Sequence, residues 1–227
     1  MALAGSPETR FRTKQKYVHK ALRDAILSCE LLPGQRLVID DLARRLEVSA
    51  IPIREALQLL QAEGLVSIEP HVGASVAPIA ESEVREVFAI MEGLETIAAR
   101  EAARRLRPHD AERLQALLVE MDAVLAAGTT EAWAELNSRL HGTIGEVAGM
   151  PLLREMTALV LARWQRLRRS FFRDVLVRRA EQAQREHHEL VEAILARDAD
   201  AVDLVVARHN RNALKAYEEY LRERAEA

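Results

Sequence analysis

Four polar side chains in the second half of the sequence fall where the surrounding pattern is apolar. They are Asn137, His141, His187 and His209. Asn137 and His141 are four residues apart, so a helix places them on one face, and His187 and His209 fall in register with the apolar residues of their own segments. Burying an imidazole or a carboxamide without a hydrogen-bond partner costs about 1–3 kcal/mol. We therefore expect all four side chains to have partners.

A shared divalent metal would satisfy these four side chains at once. Neutral imidazole is the commonest ligand for zinc and its first-row neighbours, and an amide oxygen can add a further ligand. A divalent transition metal such as zinc, nickel or manganese is therefore one interpretation of this pattern. The residues alone leave a second interpretation open, in which each histidine is a core residue with its own hydrogen-bond partner.

A metal-dependent enzyme is the alternative function, because three histidine ligands and an open coordination position also serve metal-assisted hydrolysis. The sequence offers this alternative little support. It contains no His-Glu-x-x-His arrangement, no nucleophile elbow and no phosphate-binding glycine loop. We therefore expect a protein that is not an enzyme.

The elements that position these residues are helices. After residue 80, apolar residues recur at helical spacing in six segments, and strand signals disappear. Glycine and proline residues separate several of these segments. The pattern predicts that residues 80–227 form an all-α antiparallel helical bundle. The six segments are Val84–Ala98, Ala111–Leu125, Trp133–Ile144, Leu153–Leu167, Leu190–Ile194 and Val202–Tyr217.

The first part of the chain predicts a different kind of domain. Between Leu42 and Leu57, two short helical patterns meet at a turn around Glu47. Ser49 stands where its hydroxyl can cap the second helix, and Pro52 falls in the first turn, where proline is tolerated. This is the pattern of a helix-turn-helix, whose second helix enters the DNA major groove. An ordinary helical hairpin would show the same spacing.

Two short β-like stretches follow the second helix, at residues 66–70 and 74–77, around His71-Val72-Gly73. A two-stranded wing after a recognition helix makes a winged helix. We predict a winged helix-turn-helix DNA-binding domain over residues 1–79, with residues 1–9 disordered. The predicted fold class is therefore mainly α, with this domain followed by the helical bundle.

Both halves of the sequence resemble known families. Residues 17–79 resemble the winged helix of GntR-family transcription regulators, and the bundle resembles the FCD effector domain of the FadR subfamily. The first resemblance rests on Pro33-Gly34-Gln35-Arg36-Leu37, Leu42-Ala43-Arg44-Arg45-Leu46, Val48-Ser49, Pro52-Ile53-Arg54-Glu55-Ala56-Leu57, Glu63-Gly64-Leu65-Val66 and Gly73-Ala74, and the second on Asn137, His141, Glu186-His187-His188-Glu189-Leu190, His209 and Gly149-Met150-Pro151-Leu152-Leu153.

The resemblance implies a homodimer that binds an inverted-repeat operator in double-stranded DNA and is released by a small-molecule effector, usually a small organic acid. It also implies a metal bound by Asn137, His141, His187 and His209. Two positions depart from the family. An acidic ligand is replaced by Asn137, and an arginine associated with the effector pocket is replaced by Met91. We expect Met91 to lie in that pocket and Arg163 to supply the cation that holds a carboxylate.

The expected DNA contacts lie on the second helix and the wing. Arg54 is suited to a bidentate guanine contact or a phosphate contact. Ser49 and Gln58 can form hydrogen bonds, Gly73 allows a close backbone approach, and His71 is a further wing candidate. Ala50 and Ile51 replace the Arg-Thr that is common in the family, so we expect apolar contacts there and a different half-site. A winged helix used only for protein contacts is the remaining alternative.

Composition agrees with a regulator in the cytoplasm. The chain has 227 residues, a formal net charge of −3 and a single cysteine, Cys29. One cysteine excludes a disulfide framework. No apolar stretch reaches the roughly 20 residues that span a bilayer, and the N-terminus lacks the apolar core of a signal peptide. We therefore expect a cytoplasmic protein with no membrane partner.

Overall fold

The computed structural model describes the backbone of residues 7–226 and the side chains of residues 14–167, 169, 175 and 177–223. The chain divides into two compact units, one formed by residues 1–79 with 165–170 and the other by residues 80–164 with 171–227. The first unit is a winged helix and the second is all α. The predicted fold class is therefore confirmed. In the described part of the chain, no helix combines the length and the apolarity that crossing a membrane requires.

The winged-helix unit packs three helices with a small antiparallel sheet. Strand β3 lies in the centre, between β1 and β2. Leu37 pairs with Ala74, and Val66 pairs with Val76. The sequence did not predict β1, because two residues are too few for an alternating pattern. The elements are α1 (Pro7–Leu27), β1 (Arg36–Leu37), α2 (Ile39–Arg45), α3 (Ala50–Ala62), β2 (Val66–Glu69) and β3 (Gly73–Val76).

Helix α1 begins earlier than the sequence predicted. Residues 1–9 were expected to be disordered, but the helix begins at Pro7. Proline is favourable in the first turn of a helix, and no glycine interrupts the stretch that follows it. The structure therefore includes residues 7–9 in α1, and residues 1–6 lie outside the described part of the chain.

Five helices form the second unit, where six were predicted. The fourth and fifth predicted helices are one continuous helix, because no glycine or proline occurs between residues 152 and 196. The helices are α4 (Glu81–Arg105), α5 (Pro108–Ala126), α6 (Thr130–Ala148), α7 (Pro151–Ala196) and α8 (Ala199–Glu226). Their apolar faces meet in one core, which includes Leu94, Ala102, Leu114, Met121, Trp133, Leu140, Ile144, Leu190, Ile194, Val202 and Val206.

Candidate nucleic-acid interface and metal centre

Helix α3 has one buried and one exposed side. Ile53, Leu57 and Leu60 are buried in the winged-helix core. Arg54 and Gln58 are exposed on the other side, with Ile51, whose exposed fraction is 57%. Because these three residues are spaced i, i+3 and i+7, they lie in one strip along the helix. The strip contains one apolar and two polar side chains. The helix therefore offers a continuous outer surface to a ligand.

Ser49 lies at the N-cap of α3, as predicted, and Ala50 is the first residue of the helix. The predicted capping hydrogen bond of the Ser49 hydroxyl is not formed. An N-cap hydroxyl binds the backbone N–H of the second or third helical residue, and the third residue here is Pro52, which has no N–H. The exposed Ser49 side chain is consequently not committed to a cap.

The wing ends in an exposed turn at His71, Val72 and Gly73. His71 and Gly73 both have positive φ angles, of 63° and 113°, and glycine adopts such angles without strain. Nη2 of Arg36, on β1, donates a hydrogen bond of 3.2 Å to the backbone oxygen of Val72. Sequence analysis did not single out Arg36, because only the sheet brings β1 next to the tip of the wing.

The second unit brings the three predicted histidine ligands together. The ring centroids of His141 and His187 are 5.3 Å apart, those of His141 and His209 are 5.5 Å apart, and those of His187 and His209 are 4.9 Å apart. Each ring offers one nitrogen within 4.8 Å of the nitrogens of the other two. Helices α6, α7 and α8 each supply one histidine. The rings are close enough for one ion to bridge them.

His187 is the most buried of the three histidines, with no exposed surface. Neither of its ring nitrogens has a hydrogen-bond partner among the described residues. Burial, with the charges of His209 and His141 as further causes, places its pKa well below the usual value. A neutral imidazole with an unpartnered lone pair is the form that binds a metal. The donor set therefore fits the divalent transition metal that the sequence suggested.

Trp133 covers one face of this site. Its ring stacks on His187 with centroids 5.7 Å apart and an interplanar angle of 26°. Its Nε1 donates a hydrogen bond of 3.0 Å to Oε1 of Gln184. Because the indole is 2% exposed, it shields His187 on this side. The fluorescence of Trp133 can therefore report on the histidine cluster.

The sequence analysis missed two carboxylates beside the cluster. Oε1 of Glu95, on α4, lies 3.0 Å from Nδ1 of His141. Oε2 of Glu186, on α7, lies 2.8 Å from Nδ1 of His209. Glu186 could have been found from the sequence, because it immediately precedes the predicted ligand His187. Nothing near Glu95 in the sequence marks it, because its partner lies on another helix.

The electrostatics of the Glu95 and His141 pair favour its charged forms. Burial is the largest effect on Glu95 and would raise its pKa, but the charge and hydrogen bond of His141, with smaller effects of His209 and Asn210, together lower it to about 2. Burial likewise opposes the charged form of His141, yet Glu95 leaves the pKa of His141 above its usual value. Glu95 is therefore ionised at neutral pH.

Three other residues were predicted for this site. Asn137 is half-buried on α6, one turn before His141. Met91 is buried on α4, one turn before Glu95. Arg163 lies 3.6 Å from Glu83. It precedes His187 by 24 residues on α7, which a rise of about 1.5 Å per residue converts to about 36 Å. The structure therefore does not bring Arg163 to the histidines.

A different arginine, Arg179, lies beside the cluster. It is 8% exposed, and its Nη2 donates hydrogen bonds of 2.7 Å to Glu186 and to the backbone oxygen of His209. Its Nε has no hydrogen-bond partner among the described residues. Arg179 also lines a cavity of about 230 Å³ between α7 and α8. Other residues that line this cavity are Arg178, Gln182, Asn212, Lys215 and Tyr220.

Comparison with protein families assigns both units. Residues 14–76 match the family described as bacterial regulatory proteins, gntR family, and residues 86–212, more than half of the chain, match the FCD domain. The chain belongs to the GntR family of transcriptional regulators. It is a GntR regulator with an FCD domain, as the sequence resemblance predicted, and this family consists of regulators rather than enzymes.

Similar proteins are also named as transcriptional regulators of the helix-turn-helix type. The HTH-type transcriptional repressor RspR of Escherichia coli K12 is 27% identical over 192 residues, which cover 85% of this chain and 83% of RspR. The HTH-type transcriptional regulator McbR of the same strain is 32% identical over 126 residues, or 56% of this chain and 57% of McbR. The solved structure of E. coli McbR/YncC matches this GntR regulator with a TM-score of 0.67 and 25% identity, and the match covers 91% of this chain and 98% of that chain.

Proposed function

We propose that this GntR regulator represses transcription as a homodimer bound to an inverted-repeat operator, and that a small organic acid bound beside a metal centre in its FCD domain releases it. The exposed strip of α3 carries the DNA-binding part of this proposal. Bacterial regulators of this kind act on DNA in the cytoplasm. The sign of regulation is supported by RspR, whose name describes a repressor. Two-fold symmetry of a homodimer would match the symmetry of an inverted repeat.

In this proposal α3 reads bases and the wing contacts the backbone. Arg54 and Gln58 have exposed side chains that can reach base edges. The free hydroxyl of Ser49 can contact a phosphate or a base. The exposed His71 and Gly73 at the tip of the wing can approach the adjacent groove or phosphates.

Replacing Ile51 by threonine is expected to change the base preference of the operator. Ile51 is exposed at the start of α3, where its methyl groups, with those of Ala50, can pack on thymine methyls. A threonine hydroxyl would add a hydrogen-bonding group at that contact. Selection of binding sites from random DNA, done in parallel with the wild-type chain and Ile51→Thr, measures the change. Identical selected sequences would remove Ile51 from the base-reading surface.

We propose that His141, His187 and His209 hold a divalent transition metal such as zinc, nickel or manganese, with the carboxamide of Asn137 as a further ligand. The unpartnered ring nitrogens of His187 support this assignment. When bound, such a metal would offer open coordination positions to a carboxylate. The residues around it exclude water on the Trp133 side and hold the imidazoles in place.

We assign the role of the effector-binding cation to Arg179 instead of Arg163. Arg179 lines the cavity between α7 and α8, and it contacts the same carboxylate, Glu186, that binds His209. An effector that binds Arg179 would be connected to the proposed metal ligand His209 through Glu186, which contacts both residues. It alters DNA affinity only if it binds the DNA-competent and the released arrangements differently, with couplings of typically about 1–3 kcal/mol. Met91, in place of an arginine, disfavours an effector with several negative charges.

Binding-site selection with the purified full chain tests the DNA-binding function. We expect an enriched inverted repeat, with an affinity that falls as the salt concentration rises, because phosphate contacts release counterions. Transcription from a promoter that contains this repeat should fall when the protein is added and recover when a panel of small organic acids is screened with the metal-loaded protein. Failure to enrich any DNA, or binding without salt dependence, would contradict this function and favour a winged helix that contacts proteins.

A further inference from the structure

Two carboxylates contact the Nδ1 atoms of two of the three clustered histidines. The carboxylate of Glu95 meets Nδ1 of His141 at 3.0 Å, and that of Glu186 meets Nδ1 of His209 at 2.8 Å. Both acids lie in the interior, where the side chain of Glu95 is 14% exposed and that of Glu186 is 5% exposed. Neither ring nitrogen of His187 has such a partner among the described residues. The arrangement therefore distinguishes His141 and His209 from His187.

Each carboxylate is itself fixed by other side chains. Oε2 of Glu95 accepts a hydrogen bond of 2.7 Å from Nδ2 of Asn210. Glu186 accepts hydrogen bonds of 2.7 Å from Arg179 and from Asn212. Such bonds leave the carboxylates little freedom to rotate. The imidazoles that bind them are held in one orientation in turn.

The chemistry of these contacts selects one tautomer of each ring. An ionised carboxylate only accepts hydrogen bonds, so Nδ1 of each ring carries a hydrogen, and in the neutral ring the lone pair is on Nε2. Ligating histidines in proteins commonly donate their other ring N–H to a carboxylate in this way. We infer that Glu95 and Glu186 are positioning residues that hold His141 and His209 as Nδ1–H tautomers with Nε2 free to bind a metal. This inference rests on the metal centre proposed above.

Glu95 also affects the charge of the site at which Asn137 replaces an acidic ligand. Asn137 has no negative charge, so the direct ligand set of this site contains only neutral groups. The ionised Glu95 returns one negative charge to the site from α4, through its hydrogen bond with His141. Hydrogen bonding of this kind raises the basicity of a ligating imidazole. Glu95 should therefore matter more to metal affinity here than a carboxylate that only packs in the core.

Metal titrations of five variants test this role. Glu95→Gln and Glu186→Gln remove the charge and retain an oxygen that can accept the Nδ1 hydrogen. Their matched controls are Glu92→Gln and Glu189→Gln, which alter the ion pairs of Glu92 with Arg211 and of Glu189 with Arg208 on the same two helices. We expect zinc and nickel to bind 10- to 100-fold more weakly to the first pair and with wild-type affinity to the controls. Glu95→Ala, which also removes the acceptor, should bind more weakly than Glu95→Gln.

The ring tautomers give a readout that does not need the metal. In the metal-free full chain with ¹⁵N-labelled histidine, NMR should show His141 and His209 protonated at Nδ1, assigned by the signals lost in His141→Gln and His209→Gln. Glu95→Ala should remove this preference from His141 alone. Far-ultraviolet circular dichroism of every variant verifies the fold.

The two measurements separate the possible failures. Hydrogen on Nε2 and none on Nδ1 in the neutral wild-type rings, or unchanged metal affinity in Glu95→Gln, Glu95→Ala and Glu186→Gln, would overturn the positioning role while leaving the metal centre intact. A wild-type chain that binds neither zinc nor nickel would overturn the proposed metal centre, and the tautomer measurement would then still decide whether the carboxylates orient the rings.

Discussion

The His187→Ala variant is expected to lose the metal completely, whereas the wild-type chain should carry about one transition-metal ion per chain. His187 lies in the centre of the cluster, is fully buried and is held neutral by that burial and by the nearby histidine charges. Its ring nitrogens are the ones without a protein partner among the described residues. Elemental analysis of protein purified without a chelator or a metal-affinity tag measures the stoichiometry, before and after incubation with zinc, nickel and manganese.

His188→Ala is the matched control for this variant. His188 is the next residue on α7, its side chain is 48% exposed, and its Nε2 lies 3.0 Å from Asp122 instead of in the cluster. A ligand that binds only the folded state stabilises it by about 2.7 kcal/mol at 100 times its Kd. Added metal should therefore raise the melting temperature of the wild-type chain and of His188→Ala, but not that of His187→Ala. Equal metal content in all three proteins, or none in the wild type, would contradict the proposed centre.

Replacing Arg54 by alanine is expected to weaken operator binding by about 1–3 kcal/mol for each half-site, or about 5- to 150-fold, as for a good base contact. Arg54 is exposed on the outer side of α3 while its neighbour Ile53 is fully buried. The affinity should therefore fall because a DNA contact is lost and not because the core of the winged helix is disturbed. Fluorescence anisotropy with the selected operator measures the affinity, and a series of salt concentrations shows which contact is lost.

The salt series separates a base contact from a phosphate contact. If Arg54 contacts a guanine, Arg54→Ala relaxes the preference at one base and leaves the salt slope nearly unchanged. If it contacts a phosphate, binding weakens equally for all sequences and the slope falls by about one for each half-site. Arg139→Ala, which removes an exposed arginine of the FCD domain, is the control for net charge. Wild-type affinity in Arg54→Ala would exclude this residue from the interface.

Local pattern alone determined much of the fold. The recognition helix and its start, the wing and the helical bundle were all predicted from the spacing of apolar residues and from single glycines and prolines. These signals succeed because helix and strand periodicity depends on neighbours along the chain. They failed for β1, which is too short to show a period, and for the start of α1. They also divided α7 into two helices, although no helix-breaking residue separates its halves.

The sequence also determined which residue types form the candidate sites. His141, His187 and His209 were found because each is polar in an apolar register, and α3 was found with its outward-facing Arg54. Only the tertiary structure showed that Glu95 and Glu186 contact Nδ1 of two of the rings and that Arg179, instead of Arg163, lies beside the cluster. The physical reason is the same for the two carboxylates and for Arg179. Contacts between side chains on different helices, or between turns far apart on one helix, depend on how the helices cross, and the periodicity of each helix carries no information about that crossing.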